Sequence, residues 1–323
     1  MSLDCLLNIV AGLGMFLFGM KLLSDSLEGF SGKEMQQKLQ NVAATPLKGV
    51  ILGAGVTGII QSSTATTLIV MGLVNAGTMS IYEALPVIMG ANIGTTVTGQ
   101  ILSLADISRE GLLFSVLKPS FFAPFFLLAG TAELIFIKKK ELQHGANIFI
   151  GLGILFSGMQ IMENGLSPLA RSESFFNMFL LFRNPILSIL IGALMTAVIQ
   201  SSSVSVGILQ TLSTTNAIPF CVAVPIILGM NIGKCLPELV ASFSTNKNTR
   251  RAISADLLVN TAGVIIAFLV LYGTEALFSI PFWNSTATRS MIANFHTAFN
   301  VVTTFALLPF YKWFIAFAKR IIR

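Results

Sequence analysis

Residues 46–76 read PLKGVILGAGVTGIIQSSTATTLIVMGLVNA, and residues 185–215 read PILSILIGALMTAVIQSSSVSVGILQTLSTT. Each is an apolar segment of about 30 residues, where a single crossing of the hydrocarbon core takes about 20. Each is also interrupted near its centre, at Gln61-Ser62-Ser63 and at Gln200-Ser201-Ser202. Both segments therefore read as paired half-helices, re-entrant hairpins that enter and leave on one side of a membrane, rather than as single spans.

The rest of the chain supports a membrane setting. Of its 323 residues, 54% are apolar and 11% charged, against about 25% charged in soluble domains. Mean hydropathy is +0.81. Seven further runs are expected to cross fully, at roughly 4–23, 80–103, 111–137, 145–166, 219–243, 252–273 and 290–314. Runs of this length do not resemble ten-residue barrel strands, so the fold class is an all-α polytopic membrane protein. The first run lacks a basic n-region, since the first lysine is Lys21, and it reads as a span rather than a signal peptide. Cys5, Cys221 and Cys235 have no metal-binding spacing, and only His144 and His296 supply imidazole. No nucleotide-binding glycine motif follows a strand-like run, and a net charge of +6 forms no single basic face. The expectation is a protein that is no enzyme, needs no cofactor and binds no nucleic acid.

Shifting the sequence by 139 residues aligns it with itself. Residues 45–103 match 184–242 without a gap, with 18 identities in 59 positions. These include Pro46/Pro185, Gly53/Gly192, Gln61-Ser62-Ser63/Gln200-Ser201-Ser202, Pro86/Pro225, Gly90/Gly229 and Asn92-Ile93-Gly94/Asn231-Ile232-Gly233. Further back, Gly12-Leu13-Gly14 and Gly19-Met20 recur as Gly151-Leu152-Gly153 and Gly158-Met159. The glycines of this early motif read as packing residues. One repeat covers 1–137 and the other 145–273, each with three full crossings and one hairpin, while 290–323 adds a last crossing and a short basic tail. Three is odd, so the second copy is expected to lie inverted relative to the first. Inverted repeats with broken helices place a substrate site near the bilayer midplane in secondary transporters.

Starting with the N-terminus outside, 14 of the 20 basic residues fall on the inner side, and only Arg109, Arg171, Arg183 and Arg289 on the outer. That is the charge bias of a cytoplasmic face, so the C-terminus is placed in the cytoplasm. The polar stretch 31–40 is expected on the inner surface, and Trp283, Trp313, Tyr272, Tyr311 and Tyr82 in an interfacial belt.

Irregular backbone at membrane depth must be packed in protein or line a wet cavity, so both Gln-Ser-Ser breaks point inward. The half-helices that follow start with hydroxyls, Ser62, Ser63, Thr64, Thr66 and Thr67 in one and Ser201, Ser202, Ser203 and Ser205 in the other. A hydroxyl-capped helix start with free N–H groups and a positive dipole end is an anion site. Two such ends facing one another would surround one small tetrahedral oxyanion, with Gln61 and Gln200 adding amides. The second repeated motif, Gly90 to Thr96 and Gly229 to Lys234, is expected to loosen a helix and free carbonyls that suit Na⁺.

The twin QSS motifs, the twin GxNIG motifs, the duplication and the late Phe295-His296-Thr297-Ala298-Phe299-Asn300 segment together resemble the type II sodium/phosphate cotransporter family. The resemblance covers nearly the whole chain. It implies Na⁺-driven uptake of inorganic phosphate in a bacterial inner membrane, with phosphate at Gln61, Ser62, Ser63, Thr64, Gln200, Ser201, Ser202 and Ser203 and near Asn92 and Asn231. Thr66, Thr95 and Ser205 are assigned to sodium. Membrane lipid is the surrounding partner, and a homodimer and a separate PhoU-like regulatory protein are compatible with it. Many bacterial relatives carry a PhoU-like domain after the last span, and this chain, ending at Arg323, is expected to lack it.

Two residues depart from the family pattern. Lys234 stands where a Thr is usual after the second NIG, and Lys118 where an Asn would be expected. A lysine ammonium at depth is a candidate cation surrogate. The alternative for Lys234 is a pair with Glu238 one helical turn on, and for Lys118 snorkelling to the headgroups. Asp256 and His296 read as interhelical partners. An uncoupled anion exporter or channel, or a phosphate-responsive regulatory protein without net transport, are the rival functions.

Overall fold

A computed structural model of the chain describes residues 3–40, 45–104, 119–136, 140–168, 182–215 and 218–322. Among these residues no strand forms, and the backbone is almost wholly helical. The helices are α1 (Leu3–Gln40), α2 (Pro46–Ile60), α3 (Ser63–Asn75), α4 (Ile81–Ser103), α5 (Pro119–Phe136), α6 (Lys140–Leu166), α7 (Pro185–Ile199) and α8 (Ser202–Ser213). They continue with α9 (Phe220–Gly233), α10 (Cys235–Ser242), α11 (Lys247–Phe278), α12 (Arg289–Leu307) and α13 (Tyr311–Ile321). Local sequence explains the starts. Pro46 and Pro185 occupy first-turn positions, where a missing N–H costs nothing. Ser80 and Glu83 form a reciprocal capping box on α4, and Asn184, Asn246 and Thr288 cap α7, α11 and α12 through their side-chain oxygens.

Among the described residues, five helical stretches are long and apolar enough to cross a membrane: Leu3–Gly29, Gln143–Leu166, Phe220–Ser242, Lys247–Phe278 and Arg289–Ile321. The chain is thus a multi-pass membrane protein. One of the seven expected crossings differs, and another lies partly outside the described residues. Run 80–103 is one unbroken helix, α4, and it lies outside that set because Asn92, Thr95, Thr96, Thr98 and Gln100 lower its hydropathy; most of its length is buried in the protein. A helix surrounded by protein need not match lipid. Of run 111–137 only the part from Pro119 is described, as α5. The stretch 31–40 continues α1 as helix to Gln40.

Helices meet where glycine removes a side chain. Val87 O lies where a Cβ on Gly53 would be, and Val50 O stands in the same relation to Gly90, which draws α2 onto α4. In the second copy Gly192 meets Ile226 O and Gly229 meets Ile189 O, drawing α7 onto α9. Between α1 and α6, Gly12 faces Gly158 O and Gly19 faces Gly151 O. The two helices therefore cross antiparallel. Without a hydrophobic drive in lipid, such close backbone packing is what holds helices together. Gly14, by contrast, has nothing nearby.

These contacts correct two expectations. The Gly90 to Thr96 stretch does not loosen α4. Gly90 and Gly94 are points where α2 presses on it, and Thr95 Oγ1 and Thr96 Oγ1 donate to Ala91 O and Ile93 O of the same helix, at 3.0 and 2.8 Å. In the second copy only Lys234 interrupts the helix, with α-helical dihedrals of its own. Trp283 is not interfacial either. It is buried and packs edge-on against Phe220 and Tyr272, while Trp313 and Tyr82 are exposed.

Buried apolar side chains form three clusters. One joins α2, α3 and α4 to α11 and α13, another joins α8 and α9 to α11 and α12, and the third joins α1 and α6 to Leu102, Ala123 and Val204. Large apolar side chains also point outward, among them Val10 and Phe18 on α1, Leu190, Leu194 and Val198 on α7, and Leu269 and Val270 on α11. A soluble surface would not carry so many.

Candidate functional site

At each Gln-Ser-Ser motif a helix ends and another begins after two intervening residues, Gln61 and Ser62 in one copy and Gln200 and Ser201 in the other. Gln61 adopts φ 60° and ψ 22°, and Gln200 φ 61° and ψ 20°. This is the left-handed region, which costs a residue with a side chain roughly 1–2 kcal/mol. The turn lets each Gln N–H close the preceding helix, on Thr57 O and Thr196 O, both at 2.7 Å. The next serine is extended and caps the new helix, Ser62 Oγ accepting from Ala65 N at 3.1 Å and Ser201 Oγ from Val204 N at 3.3 Å.

A second repeated device ties the halves together. Thr57 Oγ1 donates to Thr66 Oγ1 at 2.9 Å, and Thr66 Oγ1 donates on to Ser62 O at 3.1 Å. In the other copy Thr196 donates to Ser205 and Ser205 to Ser201 O, each at 3.0 Å. The hydroxyls of Thr66 and Ser205 are engaged in these bridges and do not line the cavity described next. Thr57 and Thr196 were legible as one of the 18 identities, a polar pair in an apolar run four residues before each Gln.

The two breaks converge. Gln61, Ser62, Ser63 and Thr64 from one and Gln200, Ser201 and Ser203 from the other line a single cavity of about 410 Å³, within the range of small-molecule sites. Helix α1 adds Lys21, Ser24 and Asp25. Lys21 and Asp25 form an exposed ion pair at 2.8 Å. The N–H groups of Ala65, Thr66, Val204 and Ser205 are taken up by Ser62 and Ser201, which leaves those of the first two residues of α3 and α8 without an intrahelical partner, and with the serine and threonine hydroxyls these make the cavity rich in donors. Ser202 sits just behind its wall, buried, its Oγ without a partner among the described residues.

The tips are not equivalent. Gln61 is buried, its Oε1 accepting from Thr98 Oγ1 at 2.8 Å and its Nε2 donating to Gly58 O. Gln200 is exposed. The repeat counterpart of Thr98 is Pro237, which has no hydroxyl to hold it.

The remaining candidates lie elsewhere. Asn92 and Asn231 do not line the cavity. Asn231 Nδ2 donates to Ile227 O of its own helix at 3.0 Å. Asn92 Oδ1 accepts from Lys234 Nζ, across the two copies, and Asn92 Nδ2 donates to Asn260 Oδ1 at 3.4 Å. Lys234 thus reaches beyond its expected helical neighbour Glu238. Lys118 lies outside the described residues. The sequence treated Lys21 as one more positive charge of the inner side and gave no signal that it faces both tips.

The family model described as Na⁺/Pi-cotransporter matches this chain twice, over residues 15–164 and 157–271. The chain belongs to the Na⁺/Pi-cotransporter family. That is a family of transporters, and sodium/phosphate cotransport is its activity. The Na⁺/Pi-cotransporter relatives include YqeW of Bacillus subtilis strain 168, 31% identical over 306 residues and covering 94% of both chains. YjbB of Escherichia coli K12, whose name proposes inorganic phosphate export, is 26% identical over 325 residues, 98% of this chain and 56% of its own length. The human sodium-dependent phosphate transport protein 2B is 34% identical over 104 residues, 32% of this chain and 15% of its own. No solved structure matches the chain significantly.

Proposed function

We propose that this chain is a secondary active transporter that binds inorganic phosphate between the two Gln-Ser-Ser tips and carries it inward with Na⁺ by alternating access. The observation that carries this is the shared cavity: two hydroxyl-capped helix starts 139 residues apart in the sequence border one donor-rich space with a lysine at its rim. Donors of this kind suit a tetrahedral oxyanion. In this account α2–α3 and α7–α8 are the re-entrant hairpins 46–76 and 185–215 of two inverted repeats. The α1–α6 crossing supports that arrangement, because Gly12 against Gly158 becomes Gly151 against Gly19 under the 139-residue shift. A two-fold axis in the membrane plane requires that exchange. The double match to one family model supports the duplication as well. Family membership supports sodium coupling, and Thr95, Thr66 and Ser205 are its candidate hydroxyls. The chain is placed in a bacterial inner membrane with its N-terminus outside, and a homodimer and a PhoU-like partner belong to the same reading.

A second reading is export. It is favoured by YjbB, which matches nearly all of this chain and whose name proposes efflux.

Equilibrium binding of radiolabelled phosphate to the purified protein tests the site without reference to direction. Glycine suits the left-handed turn, so Gln61→Gly and Gln200→Gly keep the backbone and delete only the amides. Each is expected to weaken phosphate binding about tenfold, the value of one charge-assisted hydrogen bond. Unchanged binding in both would remove the tips from the substrate site.

A further inference from the structure

We propose that the buried polar cluster around Lys234 is a monovalent-cation site with a built-in occupant, in which the lysine ammonium holds the position an exchangeable Na⁺ would otherwise take. Three stretches converge on it, α4 through Asn92, the α9–α10 junction through Lys234 and Glu238, and α11 through Asp256 and Asn260. The ammonium donates to Asn92 Oδ1. Asn92 Nδ2 in turn donates to Asn260 Oδ1 at 3.4 Å, and Asn260 Nδ2 donates to Asp256 Oδ1 at 3.0 Å. Glu238, buried one helical turn after Lys234, adds a second carboxylate. Lys234 is 7% exposed, Glu238 3% and Asp256 0%.

The chemistry of this set is specific. Carboxylate and amide oxygens are the hard donors that alkali and alkaline-earth cations take. Two buried carboxylates at membrane depth need either protons or a cation to offset their charge, and the ammonium supplies a cation that is tethered. The duplication points to the same conclusion. The counterpart of Lys234 in the first copy is Thr95, a neutral hydroxyl, so the lysine is an addition of the second copy alone. None of these residues lines the phosphate cavity. The site joins the copies directly, since Lys234 and Asn92 lie in opposite repeats, so a cation here bears on how they move against each other.

If Lys234 is the occupant, removing it opens a Na⁺ site. The test is thermal unfolding of the full-length purified protein in phosphate-free buffer, in NaCl against equal choline chloride. This readout does not depend on whether phosphate is bound or transported, so it can fail while the proposed function stands. Lys234→Thr should gain a sodium-specific rise in Tm of about 2 °C or more over the response of the wild type, as ligand linkage gives for tenfold saturation. The added change Asp256→Asn should abolish that gain. A folded Lys234→Thr protein whose sodium response equals that of the wild type overturns the proposal. Should that variant not fold, Glu238→Gln decides in the wild-type background. With the ammonium in place its sodium response is expected to match the wild type, and a reduced response would mean that the cluster already holds exchangeable Na⁺.

Discussion

Gly12→Ala and Gly14→Ala differ by two positions on one helix, and the structure assigns them opposite fates. A Cβ on Gly12 would stand 2.5 Å from Met162 N and 2.7 Å from Gly158 O, both backbone atoms of α6. Cβ atoms essentially never approach such atoms closer than 3.0 Å, so α1 and α6 must part by at least 0.5 Å. The obstacle is main chain and cannot turn aside. A Cβ on Gly14 meets nothing within 4 Å. Both substitutions gain the same helix propensity, about 1 kcal/mol, which cancels in the comparison. The remaining difference is the overpacking cost, typically 1–3 kcal/mol. Thermal unfolding of the two purified variants should therefore separate them by at least about 2 °C, with Gly12→Ala below the wild type or level with it and Gly14→Ala above it. Because Gly12 against Gly158 and Gly19 against Gly151 are exchanged by the repeat, Gly19→Ala should behave like Gly12→Ala. Equal unfolding temperatures for Gly12→Ala and Gly14→Ala would refute the reasoning, and with it the contact that supports the two-fold relation of the copies.

Three further outcomes are expected. Thr57→Val and Thr196→Val each remove the hydroxyl that ties one half-helix to the next, and each should cost about 1 kcal/mol in thermal or denaturant unfolding; a cost in only one copy would contradict the matched geometry. Thr98→Val should impair phosphate binding through Gln61, which loses the donor to its Oε1, and should do so more than Gln200→Asn, whose amide has no such anchor; ligand titration decides the order. Lys21→Gln should weaken phosphate binding about fivefold at low salt, and this loss should shrink at high salt because Lys21 is exposed; an affinity insensitive to both would take the lysine out of the site.

How far the sequence reached can be judged from particular residues. The breaks at Gln61 and Gln200 were legible because a polar triad inside a long apolar run has no other place at membrane depth. The glycines of the second motif misled, since Gly90 and Gly94 carry the same composition whether they loosen a helix or admit a neighbour's backbone, and only the position of α2 distinguishes the two. Lys21 was invisible as a cavity residue because its exposure to both tips depends on how α1 packs across the repeats. Lys234 stood out as an ionisable residue in an apolar run, yet its partner Asn92 lies 142 positions away, beyond any local pattern. Trp283 shows the reverse case. An aromatic near a span end suits a lipid interface, but the loop that runs beside Ile218 to Cys221 folds it into the protein.

The most direct test of the central claim is radiolabelled phosphate flux into proteoliposomes holding the full chain, compared under an inward Na⁺ gradient, an equal K⁺ gradient and no gradient. Accumulation driven by the Na⁺ gradient, needing about tenfold more phosphate in Gln61→Gly, is the predicted result. Phosphate movement that proceeds equally in all three conditions, or none at all despite tight phosphate binding, would contradict it.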